Sequence, residues 1–124
     1  MVLDIVKLSI IFTLIDSVFL YLMSGKFQKM IKIVQGSELK MSLVPTILCY
    51  IFLIFSLYYF IVLKKESLTS AFLLGLSIYG VFETTNLAIF KNWNPVIGVV
   101  DTIWGGILFS LTFYIYKSTP EIKL

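Results

Sequence analysis

Apolar and polar positions along the chain segregate into blocks. Four long stretches carry little but Leu, Ile, Val, Phe and similar residues, and short segments rich in Lys, Asn, Ser and Glu separate them. The blocks cover residues 3–23, 42–63, 68–90 and 96–116. Each is near the ~20 residues a helix needs to cross a bilayer. Backbone groups in hydrocarbon find no water, so a lone spanning segment satisfies them internally as an α-helix. The blocks lack the alternation of a membrane strand and are too long to be one. The expected fold is all-α: a polytopic membrane protein, one domain over 1–124, with four transmembrane helices in an up-down bundle with short loops.

The connections differ in character. Lys64, Lys65, Glu66 and Ser67 make a tight charged turn. Lys91, Asn92, Trp93, Asn94 and Pro95 make another, with Pro95 placed to open the last helix. The segment after the first block is longer. Within it Phe27, Met30, Ile31 and Val34 recur at helical spacing among Lys26, Lys29 and Lys32, which predicts a short helix over 26–35 lying on the membrane surface. The first block lacks a basic lead and a small-residue cleavage site, so it reads as a retained helix and not as a signal peptide.

Composition narrows the classes further. The chain is 59% hydrophobic and 14% charged, against about a quarter charged in ordinary soluble domains. A soluble domain of 124 residues could not bury that much apolar surface. The net charge of +3 comes from Lys residues that flank the blocks, as membrane-flanking cations do. No basic patch with interleaved aromatics is present, so nucleic acid is not an expected partner; the lipid bilayer is. Four spans place Lys7, Lys64, Lys65, Lys117 and Lys123 on one side and Lys26, Lys29, Lys32, Lys40 and Lys91 on the other. That balance leaves orientation open. There is no His, which removes imidazole chemistry, and no cofactor or metal centre is expected. The single Cys, Cys49, reads as a packing residue.

Three acids break the apolar blocks: Asp16, Glu83 and Asp101. Counted from the ends of their blocks, all three lie roughly 8–11 Å below the same membrane boundary. Helix two offers Thr46, Cys49 and Tyr50 near that layer. Helical spacing adds neighbours: Gly75, Tyr79, Glu83 and Asn86 on helix three, Gly98, Asp101, Trp104 and Gly105 on helix four, and Ser9, Thr13 and Asp16 on helix one. Small residues on these stripes let membrane helices approach closely. A carboxylate at the bilayer centre costs at least ~2.5 kcal/mol, so these acids are expected to face inward. At least one is expected to carry its proton near neutral pH. The candidate pocket residues are Asp16, Glu83, Asn86, Asp101, Trp104, Tyr79, Thr85 and Trp93. Each has a plainer reading: an acid bonded to a neighbouring helix, Trp93 and Trp104 as interface or packing residues, Thr84 and Thr85 bonded back to their own helix. Tyr58, Tyr59, Tyr114 and Tyr116 are expected in interfacial belts.

The residues that carry the depth argument also form a pattern. Tyr79, Phe82, Glu83, Thr85, Asn86 and Ala88, then Trp93, then Asp101, Trp104 and Gly105 resemble the motifs of a family of short predicted membrane proteins, domain-of-unknown-function family 2177. Its pattern is roughly Tyr-x-x-Tyr-Asp-x-Thr-Asn-x-Ala, a Trp after the helix, and Asp-x-x-Trp-Gly, with an Asp-x-x-Trp near the start. Glu83 stands where the family has Asp, Phe82 where it has Tyr, and Phe19 where it has Trp. The carboxyl group is kept at all three acid positions. The resemblance implies a four-helix membrane protein and these functional positions, and it implies no activity.

Three functions remain open on the sequence. The first is a small carrier moving protons, cations or a cationic solute, expected as a homodimer because one subunit is too thin to enclose a pathway. The second is a lipid- or sterol-binding protein or isomerase-like membrane enzyme. There Glu83 or Asp101 would act as acid or base, and Trp104 would stabilise a carbocation. The third is a structural subunit whose acids pair with a partner. A hard cation such as Mg²⁺ on the carboxylates is a remote variant.

Overall fold

A computed structural model describes residues 1–121; Lys123 lies outside the described residues. Helix α1 spans Val2–Gln35, α2 spans Leu43–Leu57 and runs on through a π-helical segment at Tyr58–Val62, α3 spans Leu68–Ile89, and α4 spans Pro95–Ser118. Counting α2 with its extension, all four are long and apolar enough to cross a membrane. No strand occurs among the described residues.

Local chemistry sets the boundaries. The Ser67 hydroxyl accepts from the Ser70 N–H at 3.1 Å and caps α3. Asn94 Oδ1 accepts from the Val96 and Ile97 N–H groups, and Pro95 follows as the first helical residue. Pro45 falls in the first turn of α2, where its missing N–H breaks no helical bond. Gly36, at φ 78°, ends α1 in the left-handed conformation and returns its N–H to the Lys32 carbonyl.

Helix α1 departs from expectation. It continues through Ser24 and Gly25 instead of stopping near Met23, so residues 26–35 are helical but not a separate surface element. The first real stop signal is Gly36; Gly25 alone is a modest penalty, about 1 kcal/mol relative to Ala. At 34 residues α1 is about 51 Å long, well beyond a ~30 Å hydrocarbon core. Its last third, with Lys26, Lys29 and Lys32, therefore overhangs the bundle.

Contacts fix the topology. Along α1, Lys7 meets Tyr116, Asp16 meets Trp104, and Met30 meets Asn94, so α1 and α4 are antiparallel. Gly75 faces Gly105, Gly80 faces Thr102, and Glu83 faces Gly98, so α3 and α4 are antiparallel too, and they form the tightest pair. A Cβ on Gly75 would collide with the Gly105 carbonyl, and one on Gly105 with the Tyr79 ring. Backbone approach this close needs glycine on both helices. Leu8 and Phe12 of α1, Leu57 and Ile61 of α2, Ala71 of α3, and Leu108 and Phe109 of α4 fill the core. Tyr58 is buried there as well, not placed in an interfacial belt. Ile10, Leu14, Val18, Phe52, Phe55, Leu73, Val81 and Ile103 face outward, an apolar surface suited to lipid.

At the far end from the acids, Lys7 is buried and donates to the Tyr116 and Thr119 carbonyls at 2.8 and 2.9 Å. Those carbonyls close α4, where helical acceptors lack partners and the dipole favours a cation. Lys7 thus ties the start of α1 to the end of α4.

Candidate functional site

The three acids are all buried: Asp16 is 5% exposed, Glu83 1% and Asp101 8%. They meet in one layer of the bundle. Side-chain contacts across helices hold that layer. A depth count for Asp16 from the end of its span does not, since α1 overhangs the point where the apolar block stops.

Asp16 is fully engaged. Tyr50 Oη on α2 donates to Asp16 Oδ2 at 2.5 Å, and Trp104 Nε1 on α4 donates to Oδ1 at 3.0 Å. Phe19, one turn along α1, stacks on the Trp104 ring with centroids 4.5 Å apart and planes 3° from parallel. The ring at position 19 holds the Trp104 indole in register with Asp16. The face of α1 that does this is Leu8, Phe12 and Asp16; Thr13, expected beside Asp16, is exposed.

Glu83 is half engaged. Trp93 Nε1, in the α3–α4 turn, donates to Glu83 Oε1 at 2.8 Å. Glu83 Oε2 is buried and has no hydrogen-bond partner. Asp101, across the glycine-lined contact, lies within hydrogen-bonding reach of the Glu83 side chain. No N–H or O–H among the described residues donates to Asp101; Tyr50 and Trp104 donate to Asp16, and Trp93 to Glu83.

The remaining candidates divide. Tyr79 packs its ring on Gly105 beside Asp101, and Asn86 is buried one turn beyond Glu83. Trp93 is half-buried and serves as a donor to Glu83. Thr85 is exposed and turned away from the acids, because the buried face of α3 passes through Glu83 and Asn86. Thr84 bonds back to the Gly80 carbonyl at 2.6 Å, and Thr46 likewise to Ser42. Cys49, expected in packing, is exposed, because α2 stands off from α3 at its level.

Three hollows reach this layer, one of them a groove of about 220 Å³ along the α3–α4 contact that touches Glu83 itself. Between α2 and α3 a cleft of about 210 Å³ is lined by Cys49, Leu53, Ile78, Tyr79, Phe82 and Asp101. Beneath the α1 overhang a further hollow of about 250 Å³ is lined by Ile31, Val34, Gln35, Phe82, Asn86, Phe90 and Trp93. Met30, buried, receives the Asn94 N–H on its sulfur at 3.4 Å and pins the overhang to the α3–α4 turn. Among the described residues no group of His, Cys, Asp and Glu is arranged to hold a metal ion.

The family model described as a predicted membrane protein, DUF2177, matches residues 1–115. No curated protein and no solved structure matches the chain.

Proposed function

The chain belongs to the DUF2177 family of predicted membrane proteins, and on that footing we propose that this multi-pass integral membrane protein is a small proton-coupled carrier whose Glu83–Asp101 pair binds a proton or a cation. The observation that carries this reading is the buried Glu83 Oε2 without a donor, next to an Asp101 carboxyl that no N–H or O–H supports. Two bare carboxylates ~4 Å apart would repel by about 4 kcal/mol at an effective dielectric of ~20. One proton held between them removes the repulsion and satisfies an orphan oxygen. The pair then carries one net negative charge; loss of the proton raises that to two, and a monovalent cation taking the proton's place restores it to one. Proton and cation compete for the same oxygens, and that competition is what couples their movement.

The hollows support the same reading. One reaches Asp101 from the side of the bundle, one reaches Asn86 and Trp93 from under the overhang, and one touches Glu83 along the α3–α4 groove. A carrier needs its site reachable by more than one route, whereas a purely structural ion pair needs none.

Proteoliposomes with a trapped pH dye test it. Gradients of Na⁺, K⁺ or tetramethylammonium are imposed in turn; none of these ions can cross as a neutral base. Wild type is expected to move protons against at least one of them, and Glu83→Gln and Asp101→Asn are expected to lose the response. A response to none of the three in wild type, or an equal response in both variants, refutes the carrier.

A further inference from the structure

The cleft between α2 and α3 carries more information than its volume. Its walls are apolar, from Leu53 on α2 and Ile78 and Phe82 on α3, and its floor holds a single acid, Asp101. That acid is 8% exposed and receives no hydrogen bond from the described residues. The cleft runs between two helices whose outer faces, at Phe52, Leu73 and Val81, are exposed and apolar. Its mouth therefore opens sideways, toward lipid, and not toward water.

We propose that this cleft binds a single-chain amphiphile with a cationic head, the head seated at Asp101 and the chain running out along Leu53, Ile78 and Phe82. Charge complementarity selects the head: an unpaired buried carboxyl in an apolar wall is costly, and a cation is the partner that offsets it. The Tyr79 ring beside Asp101 adds a face on which a quaternary ammonium can rest. Size selects a single chain, because about 210 Å³ holds a head and a few methylenes but not two acyl chains; the rest of the chain trails into the bilayer. A neutral lipid would leave the negative charge of the Glu83–Asp101 pair uncompensated, and an anionic one would be repelled. This inference rests on the carrier reading only for the negative charge of the Glu83–Asp101 pair.

Cys49 supplies the test, because it is the single Cys of the chain, is exposed, and lines the cleft. The full chain in lipid nanodiscs is reacted with a maleimide, and the rate of Cys49 modification is followed by mass spectrometry. Decyltrimethylammonium, which cannot lose its charge, is expected to slow the reaction several-fold, and 1-decanol at equal concentration is not. Asp101→Asn should abolish the protection, and so should Ile78→Trp, which fills the cleft from its wall and leaves the acid in place. Equal protection by decanol, or no protection by decyltrimethylammonium, overturns the proposal. Binding is read here without any gradient. Protection without proton flux would therefore uphold the site and refute the carrier; flux without protection would do the reverse.

Discussion

Replacing Tyr50 with Phe removes one hydroxyl and keeps the ring that packs edge-on against Phe12, with centroids 6.0 Å apart. The substitution deletes the 2.5 Å hydrogen bond to Asp16 Oδ2. The strength of that bond depends on the charge of Asp16. One Asp16 oxygen accepts from Tyr50 and the other from Trp104. The carboxylate accepts at both oxygens at once, whereas the protonated acid would pass its own O–H to the Tyr50 oxygen; with Asp16 as the carboxylate the bond is charge-assisted. A neutral hydrogen bond between membrane helices averages ~0.6 kcal/mol and reaches about 1.7 kcal/mol. One to a charged group contributes about 1.5–3 kcal/mol. The coupling between Tyr50→Phe and Asp16→Asn is therefore expected at about 1.5–3 kcal/mol. Wild type, both single variants and the double variant would be unfolded by SDS in mixed micelles, with helicity followed by circular dichroism. The Phe12 packing persists throughout, so it largely cancels in the cycle. A coupling of ~0.6 kcal/mol or less would refute a charge-assisted bond between Tyr50 and Asp16.

Gly75→Ala should destabilise the fold by about 1–3 kcal/mol in the same assay, because the new methyl meets the Gly105 backbone and Phe109 Cβ. Gly80→Ala is the control, since its methyl meets only Thr102 Cγ2 at 3.5 Å; equal losses in the two would refute the close-approach argument. Lys7→Met should cost about 1–2 kcal/mol and speed hydrogen exchange in the last turn of α4 while leaving the first turn unchanged. At neutral pH, infrared spectra should show a protonated-carboxyl C=O band in wild type and in Asp16→Asn. The Glu83→Gln/Asp101→Asn double variant should lose it, whereas in either single variant burial can keep a proton on the acid that remains; persistence in the double variant would place the proton outside the pair.

Much of this layout is legible in the sequence for one reason: burying an acid in an apolar block is costly, so the acids must face inward and take their helical neighbours with them. Gly75, Glu83 and Asn86 on α3, and Gly98, Asp101 and Gly105 on α4, are buried as that logic requires. Hydropathy fails at α1 because it senses the surroundings and not the backbone. The signal fades where the helix leaves the apolar zone, yet the hydrogen-bond ladder continues to Gly36. The rotation of α1 is hidden as well. Ser9 and Ser17 satisfy their hydroxyls on carbonyls four residues back, so polar side chains on α1 need no inward face. Spacing does not assign donors to acids. Tyr50 reaches Asp16 from another helix, and Trp93 reaches Glu83 by folding back across a turn. The exposure of Cys49 depends on a helix standing off, which no local pattern records.

The three acids share a layer but not a condition. Asp16 has a donor on each oxygen, Glu83 has a donor on one, and Asp101 has none. In water such differences would be trivial, because solvent would complete each shell. In an apolar interior each missing donor is a cost of about 1–3 kcal/mol, more for a charged group. The gradient runs from α1 toward the α3–α4 contact, and the unmet acceptors collect where the lateral cleft reaches Asp101. Asp16 is thereby suited to hold α1, α2 and α4 in register, and a ligand has nothing to gain by displacing its donors. Glu83 and Asp101 are suited to the opposite task, since a proton or a cation arriving between them satisfies oxygens that the fold leaves open. The Phe82 ring lines both the cleft at Asp101 and the hollow under the overhang. A small rotation of that ring is the least movement that would favour one route over the other. Phe82→Ala should therefore merge the hollows and turn coupled exchange into a proton leak, read as dye response without any cation gradient. Tight coupling in that variant would show that the two routes are kept apart by something other than Phe82.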